Sequence, residues 1–171
     1  MGPLAQAVVL MGVTGSGKTT IGLRLAARLN WAFYDGDDFH SPANIEKMRR
    51  GEPLTDADRA PWLDRLRELL AGHLEKGEAV VLACSALRAD YRRRLVPANP
   101  ALRAEVRFVF LRITPEVARE RVASRPRHFM PASLVDSQFE TLEEPSDAID
   151  IEETGPINAV VDRVSAALSL H

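Results

Sequence analysis

Eight consecutive residues, Gly12-Val-Thr-Gly-Ser-Gly-Lys-Thr19, concentrate the chemistry of this chain. Their spacing is G-x-x-x-x-G-K-[ST], that of the phosphate-binding P-loop. Glycine lets the backbone turn tightly and aim successive N–H groups at phosphate oxygens, and a following helix adds the partial positive charge of its N-terminus. Lys18 is placed to reach the β- and γ-phosphates, and the Thr19 hydroxyl to ligate Mg²⁺. The candidate nucleotide-binding set is therefore Gly12, Val13, Thr14, Gly15, Ser16, Gly17, Lys18, Thr19 and Thr20, with ATP as the nucleotide.

Asp35-Gly-Asp-Asp38 follows a short apolar run. On extended chain, side chains two apart point the same way, so Asp35 and Asp37 are expected to face the phosphates together and Asp38 to point elsewhere. One carboxylate can hold a Mg²⁺-bound water, and the other can accept the proton of an attacking hydroxyl. The same four residues are also good turn formers. Arg121 and Arg125, four apart, share a helix face and lead into the proline-bearing stretch that starts at Pro126. Such a stretch, 126–147, reads as a lid whose closure would bring guanidinium groups onto the transferring phosphoryl and exclude water. A solvated basic face fits the same charge pattern. His40 and His128 flank the site as candidate hydrogen-bonding groups for a substrate. Nothing has metalloenzyme spacing such as H-E-x-x-H, so Mg²⁺ arriving with ATP is the metal expected.

These groups need elements to position them. Ala5 to Met11 reads as a buried strand before the loop, and Ile21 to Leu29 as an amphipathic helix after it. Trp31 to Tyr34, Ala79 to Cys84, Val106 to Ile113 and Ala148 to Ile151 read as further strands. Helices are predicted over 41–50, from the capping-box pair Thr55 and Asp58 to Lys76, over Arg88 to Leu95, from Thr114-Pro115 through Arg125, and over Pro156 to Leu170. Strands alternating with helices imply an α/β fold with a parallel sheet flanked by helices, in which ligands bind beyond the carboxyl ends of the strands.

At 171 residues, one domain over 1–171 is the natural reading. A formal net charge of −2 argues against a nucleic-acid surface. No apolar run approaches the roughly 18 residues of a membrane span. The start lacks the basic and apolar pattern of a signal peptide, so a cytoplasmic protein is expected. Cys84 stands alone among apolar neighbours, which points to a buried, inert thiol.

Beyond the P-loop, four stretches are more specific: Asp35-Gly-Asp-Asp-Phe-His40; Pro53 to Arg59 with Pro61-Trp-Leu63; Cys84-Ser-Ala-Leu-Arg88 with Tyr91-Arg92; and His128-Phe-Met130 with Ser137 to Pro145. Together they resemble the gluconokinases of the small P-loop type, which are related in fold to shikimate and adenylate kinases. The resemblance implies a P-loop NTPase fold with a five-stranded parallel sheet in adenylate-kinase-like order, a mobile lid and a homodimer. It implies phosphorylation of D-gluconate by ATP at the 6-hydroxyl. It also implies that Asp37 is the hydroxyl-orienting base, Asp35 the Mg²⁺-water partner and Arg125 the lid arginine facing the γ-phosphate, with Arg121 beside it.

Gluconate carries one carboxylate and five hydroxyls, so its site needs an arginine fork and several neutral or acidic groups. Arg49, Arg59 and Arg88 are the candidate forks, with His40, Ser85, Gln138 and His128 nearby; the sequence does not rank them. At 88 the family more often carries lysine, so a planar fork replaces a point charge. Two alternatives stay open: a small P-loop kinase for another acceptor such as shikimate, and a nucleotide-dependent switch without an acceptor.

Overall fold

The computed structural model describes residues 6–124 and 133–169. Strand β1 (Ala7–Met11) is an unbroken apolar run, and all five residues are buried, as the centre of a parallel sheet requires. It pairs on one side with β3 (Val80–Ala83) and on the other with β4 (Val106–Arg112). Strand β2 (Ala32–Asp35) adds to β3 and β5 (Ile149–Glu152) to β4, all parallel, in the order β2-β3-β1-β4-β5. This is the five-stranded sheet expected from the sequence, in the expected order.

Alternation along β1 divides the core. Ala7, Val9 and Met11 face a layer made by α3 (Asp56–Glu75) and α4 (Ala89–Leu95), including Leu63, Leu66, Leu70 and Leu95. Val8 and Leu10 face α1 (Lys18–Leu29) and α8 (Ile157–Ser169), through Ile21, Leu25, Val160 and Val164. A third, smaller cluster joins Val13 and Leu87 to α6 (Pro115–Ala123) and α7 (Ser133–Thr141).

Local signals explain the helix ends that aim residues at the site. Thr55 and Asp58 form a reciprocal capping box at the start of α3. Ser41 caps α2 (Pro42–Arg49), with proline in its first turn, and Gly51 follows it at φ 75°. Three expectations change. Strand β2 lies one residue later than predicted, so Asp35 is its last residue. A short helix α5 (Pro100–Arg103) lies between the predicted helix ending at Leu95 and the predicted strand starting at Val106, where the sequence predicts no element. Within the segment read as a lid, α7 is a regular helix with Leu134 and Val135 buried.

Candidate active site

The carboxyl ends of all five parallel strands share one edge of the sheet, and there the P-loop, the turn after β2 and the chain after β3 surround a cavity of about 750 Å³. Gly17 caps α1, so the loop delivers its N–H groups at a helix N-terminus. Gly12 sits at φ +150°, and a Cβ there would meet Leu111 O at 2.9 Å and Ser16 Oγ at 3.0 Å, so only glycine fits. The Lys18 ammonium donates to the carbonyls of Gly12 and Val13, both at 2.9 Å, and arches over the loop. Thr14, Gly15, Gly17, Lys18, Thr19 and Thr20 line the cavity; Val13 and Ser16 are buried beneath it.

The Thr19 hydroxyl donates to Asp35 Oδ2 at 2.8 Å, and Asp35 Oδ1 accepts from the Asp37 N–H at 3.0 Å. Asp35 and Asp37 both line the cavity, though not by strand alternation. Asp35 ends β2 and caps a 3-10 turn over Gly36–Phe39, and that turn carries Asp37 back to the same side. Trp62 Nε1 donates to Gly36 O at 2.7 Å and holds the turn against α3. A Cβ at Gly36 would meet Ala83 O at 2.8 Å, so the turn passes as close to β3 as a backbone can.

No cluster of three or more His, Cys, Asp or Glu suited to a metal occurs among the described residues. A hydroxyl–carboxylate pair beside a phosphate loop nevertheless fits Mg²⁺, which keeps several waters and takes its other ligands from phosphate.

The remaining wall comes from α3, the chain after β3, and α7. Arg59 donates from Nη1 to Leu54 O (2.6 Å) and to the Tyr91 hydroxyl (3.1 Å), and that hydroxyl donates to Asp56 Oδ1 at 2.7 Å. The guanidinium carbons of Arg59 and Arg88 lie 5.1 and 5.8 Å from the centre of the Tyr91 ring. Two cations therefore share one aromatic platform, and Arg88 also pairs with Glu143 at 3.5 Å. Gln138, on α7, accepts the Thr14 N–H through Oε1 at 2.6 Å. Ser85 lines the cavity, and its carbonyl accepts from Gly12 N. Cys84 lines it too, but burial pushes its thiol up to about 12, so it is inert as expected.

His40 is also enclosed, with its side chain 3% exposed. Its ring stacks on Trp62 with centroids 4.1 Å apart. Burial brings its pKa down to about 4, helped by the charges of Arg59 and Arg65, so the ring is neutral at pH 7.

Two sequence expectations need correction. Arg49 ends α2 on the exposed surface and does not line the cavity, because Met48 takes the inward position. Arg121 does not stand over the cavity: its Nη1 donates to Gly15 O at 2.9 Å and pairs with Glu153, which is buried just after β5. It braces the P-loop from below. Arg125, His128 and the beginning of the 126–147 segment lie outside the described residues. Asn44 and Glu153 were missed as contributors, since a buried polar group has no local signature in sequence, and exposed Asp56 was missed because its partner Tyr91 lies 35 positions away.

Residues 8–145 match the AAA domain family. The gluconokinase of Gluconobacter oxydans is 46% identical over 147 residues, covering 86% of this chain and 80% of that one. The chain belongs to the gluconokinase family. Two solved structures agree: a sugar kinase from Janibacter (40% identity, TM-score 0.87, covering 96% of this chain and 95% of that one), and a gluconokinase from Sinorhizobium meliloti (36% identity, TM-score 0.78, covering 99% and 98%). Within the gluconokinase family frame, the Asp35–Asp38 turn and the Arg59–Tyr91–Arg88 group face the same cavity as the P-loop.

Proposed function

We propose that this chain transfers the γ-phosphoryl group of ATP to the 6-hydroxyl of D-gluconate, giving ADP and 6-phospho-D-gluconate. The observation that carries this reading is a single cavity lined by the P-loop, by Asp37 and by the guanidiniums of Arg59 and Arg88. The P-loop N–H groups hold the phosphates, and Lys18 meets the charge that builds up between the β- and γ-phosphates. Asp37 orients the 6-hydroxyl and takes its proton as the oxygen–phosphorus bond forms and the bond to the β-phosphate oxygen breaks. Arg59 and Arg88 receive the gluconate carboxylate, with Asp56, Ser85 and Gln138 available to its hydroxyls.

Mg²⁺ would be held by Thr19, with Asp35 behind it, and when bound supplies charge neutralisation for the phosphates. The segment 126–147 acts as the lid, and its closure brings Arg125, just ahead of it, to the γ-phosphate; α7, within its described part, supports this by reaching Thr14 through Gln138. The chain works as one domain, as a homodimer, in the cytoplasm where ATP is available. No described helix is long and apolar enough to cross a membrane.

The test is ADP release from ATP across a panel of sugar acids, with shikimate and no acceptor as the other arms. Gluconate is expected to stimulate release far above the rest. Equal stimulation by shikimate, or none by any acceptor, would replace this reading with one of its rivals.

A further inference from the structure

Beneath the acceptor end lies a polar pair that contributes nothing to phosphate binding. Asn44 on α2 is 5% exposed, and its Nδ2 donates to the backbone oxygen of Asp58 at 3.0 Å. A carbonyl oxygen only accepts, so the orientation of the Asn44 amide is settled by this bond. The same NH₂ group faces His40 Nδ1 at 3.4 Å. A ring nitrogen opposite an amide N–H must be the acceptor, so Nδ1 carries no proton. The proton of the neutral ring is therefore on Nε2, and Nε2 lies 3.9 Å from Asp37 Oδ1. Trp62 stacks on the ring and prevents it from turning away.

We propose that Asn44 and His40 are positioning residues of the transfer reaction: Asn44 holds the imidazole as an Nε2–H donor, and that donor engages Asp37 Oδ1 so that Oδ2 faces the acceptor hydroxyl. This rests on the reading of Asp37 as the base that receives the hydroxyl proton. A separation of 3.9 Å exceeds a hydrogen bond, and catalytic hydrogen bonds commonly tighten only in the loaded complex. Asp37 is 64% exposed, and the proposed contact with His40 forms when its side chain turns toward the ring in the loaded complex. A neutral donor suits this task better than a cation. It fixes one carboxylate oxygen without the full charge that would depress the basicity of the other. The groups facing the ring come from three elements: Asp35 and Asp37 from the end of β2 and its turn, Asn44 from α2, and Arg59 and Arg65 from α3.

Two variants and one spectrum test the relay in the full-length enzyme. His40→Phe keeps a ring against Trp62 and removes the donor, whereas His40→Gln keeps an N–H of similar reach. His40→Phe is expected to lower kcat for gluconate by roughly 10- to 100-fold, the scale of a misplaced reacting group, with KM for gluconate and ATP changed less than about threefold. His40→Gln is expected to recover a substantial part of that loss. Equal loss in both variants, or loss in neither, overturns the relay; a purely structural role would lower Tm in both and leave kcat alone. If His40→Phe does not fold, long-range ¹⁵N–¹H NMR of the wild type decides. The Nε2–H tautomer is expected, and the Nδ1–H tautomer overturns the proposal. Failure of gluconate to stimulate the wild type would instead remove the substrate reading, so the two failures are distinct.

Discussion

At the phosphate end of the cavity the backbone does the holding; at the acceptor end, side chains from four segments do it. The P-loop is contiguous, and its geometry follows from glycine conformations and one helix N-terminus. The acceptor end is assembled from Asp37 after β2, Arg59 on α3, Ser85, Arg88 and Tyr91 after β3, and Gln138 on α7. Three of these six are propped by a second contact: Tyr91 on Asp56, Arg88 on Glu143, Gln138 on Thr14. A backbone cradle recognises what every nucleotide shares. A propped set of side chains can be altered one member at a time, which is where one kinase family can diverge from another.

The largest expected effects set the two ends against each other. Asp37→Asn keeps the shape but removes the charge, and should reduce gluconate phosphorylation by roughly 10²–10⁴-fold, the range for a general base. Its acceptor-free ATP hydrolysis should change much less. Lys18→Ala should lower turnover on the order of a hundredfold or more, and should depress hydrolysis as well, because the β,γ-charge develops in both reactions. Paired ADP-release assays with and without gluconate separate the two. Stimulation that survives Asp37→Asn discards Asp37 as the base.

A smaller effect lies in the carboxylate fork. Arg88→Met should raise KM for gluconate by about tenfold or more, since a charge-assisted hydrogen bond contributes roughly 1.5–3 kcal/mol. An uncharged polyol acceptor should be insensitive to it. Arg49→Ala, on the exposed end of α2, should leave KM unchanged and stability within about 0.5 kcal/mol. A KM effect at Arg49 would move the boundary of the site.

The smallest effect concerns stability against pH. Native His40 protonates near 4, against 6.5 for the ordinary side chain, so between those values the unfolded chain binds a proton that the native state refuses. The contribution of His40 is fully present above about 6.5 and is lost as pH falls toward about 4. Asp58, whose carboxyl is held down to about 2 by Lys47 and Thr55, loses its contribution only below that window. Urea midpoints measured across it should fall less steeply with acid in His40→Phe than in the wild type. An unchanged slope would mean that His40 titrates normally.

Legibility in the sequence follows the same division. The P-loop and the Asp35/Asp37 pair are local, and both border the cavity. The route to Asp37 was a turn rather than an extended chain, because a hydrogen bond from its own N–H to Asp35 bends the backbone there. Helix α7 was hidden because only Leu134 and Val135 of its nine residues are buried, too few to show a period. Asp56 and Glu153 act through contacts across distant parts of the chain, and no spacing rule reaches that far. Arg121 shows the converse: helix spacing put it on a face with Arg125, yet a buried carboxylate and a P-loop carbonyl claim its guanidinium.

That brace has a consequence for the order in which the protein becomes competent. Gly15 emerges early from the ribosome, Arg121 follows 106 positions later, and Glu153 later still. Strand β1, which presents the loop, likewise waits for both of its neighbours, β3 and β4. A nascent chain thus carries its complete P-loop motif long before it carries the struts that shape it. Nucleotide capture is thereby a late event in synthesis, and a message truncated before the fifth strand would yield a motif without a working cradle.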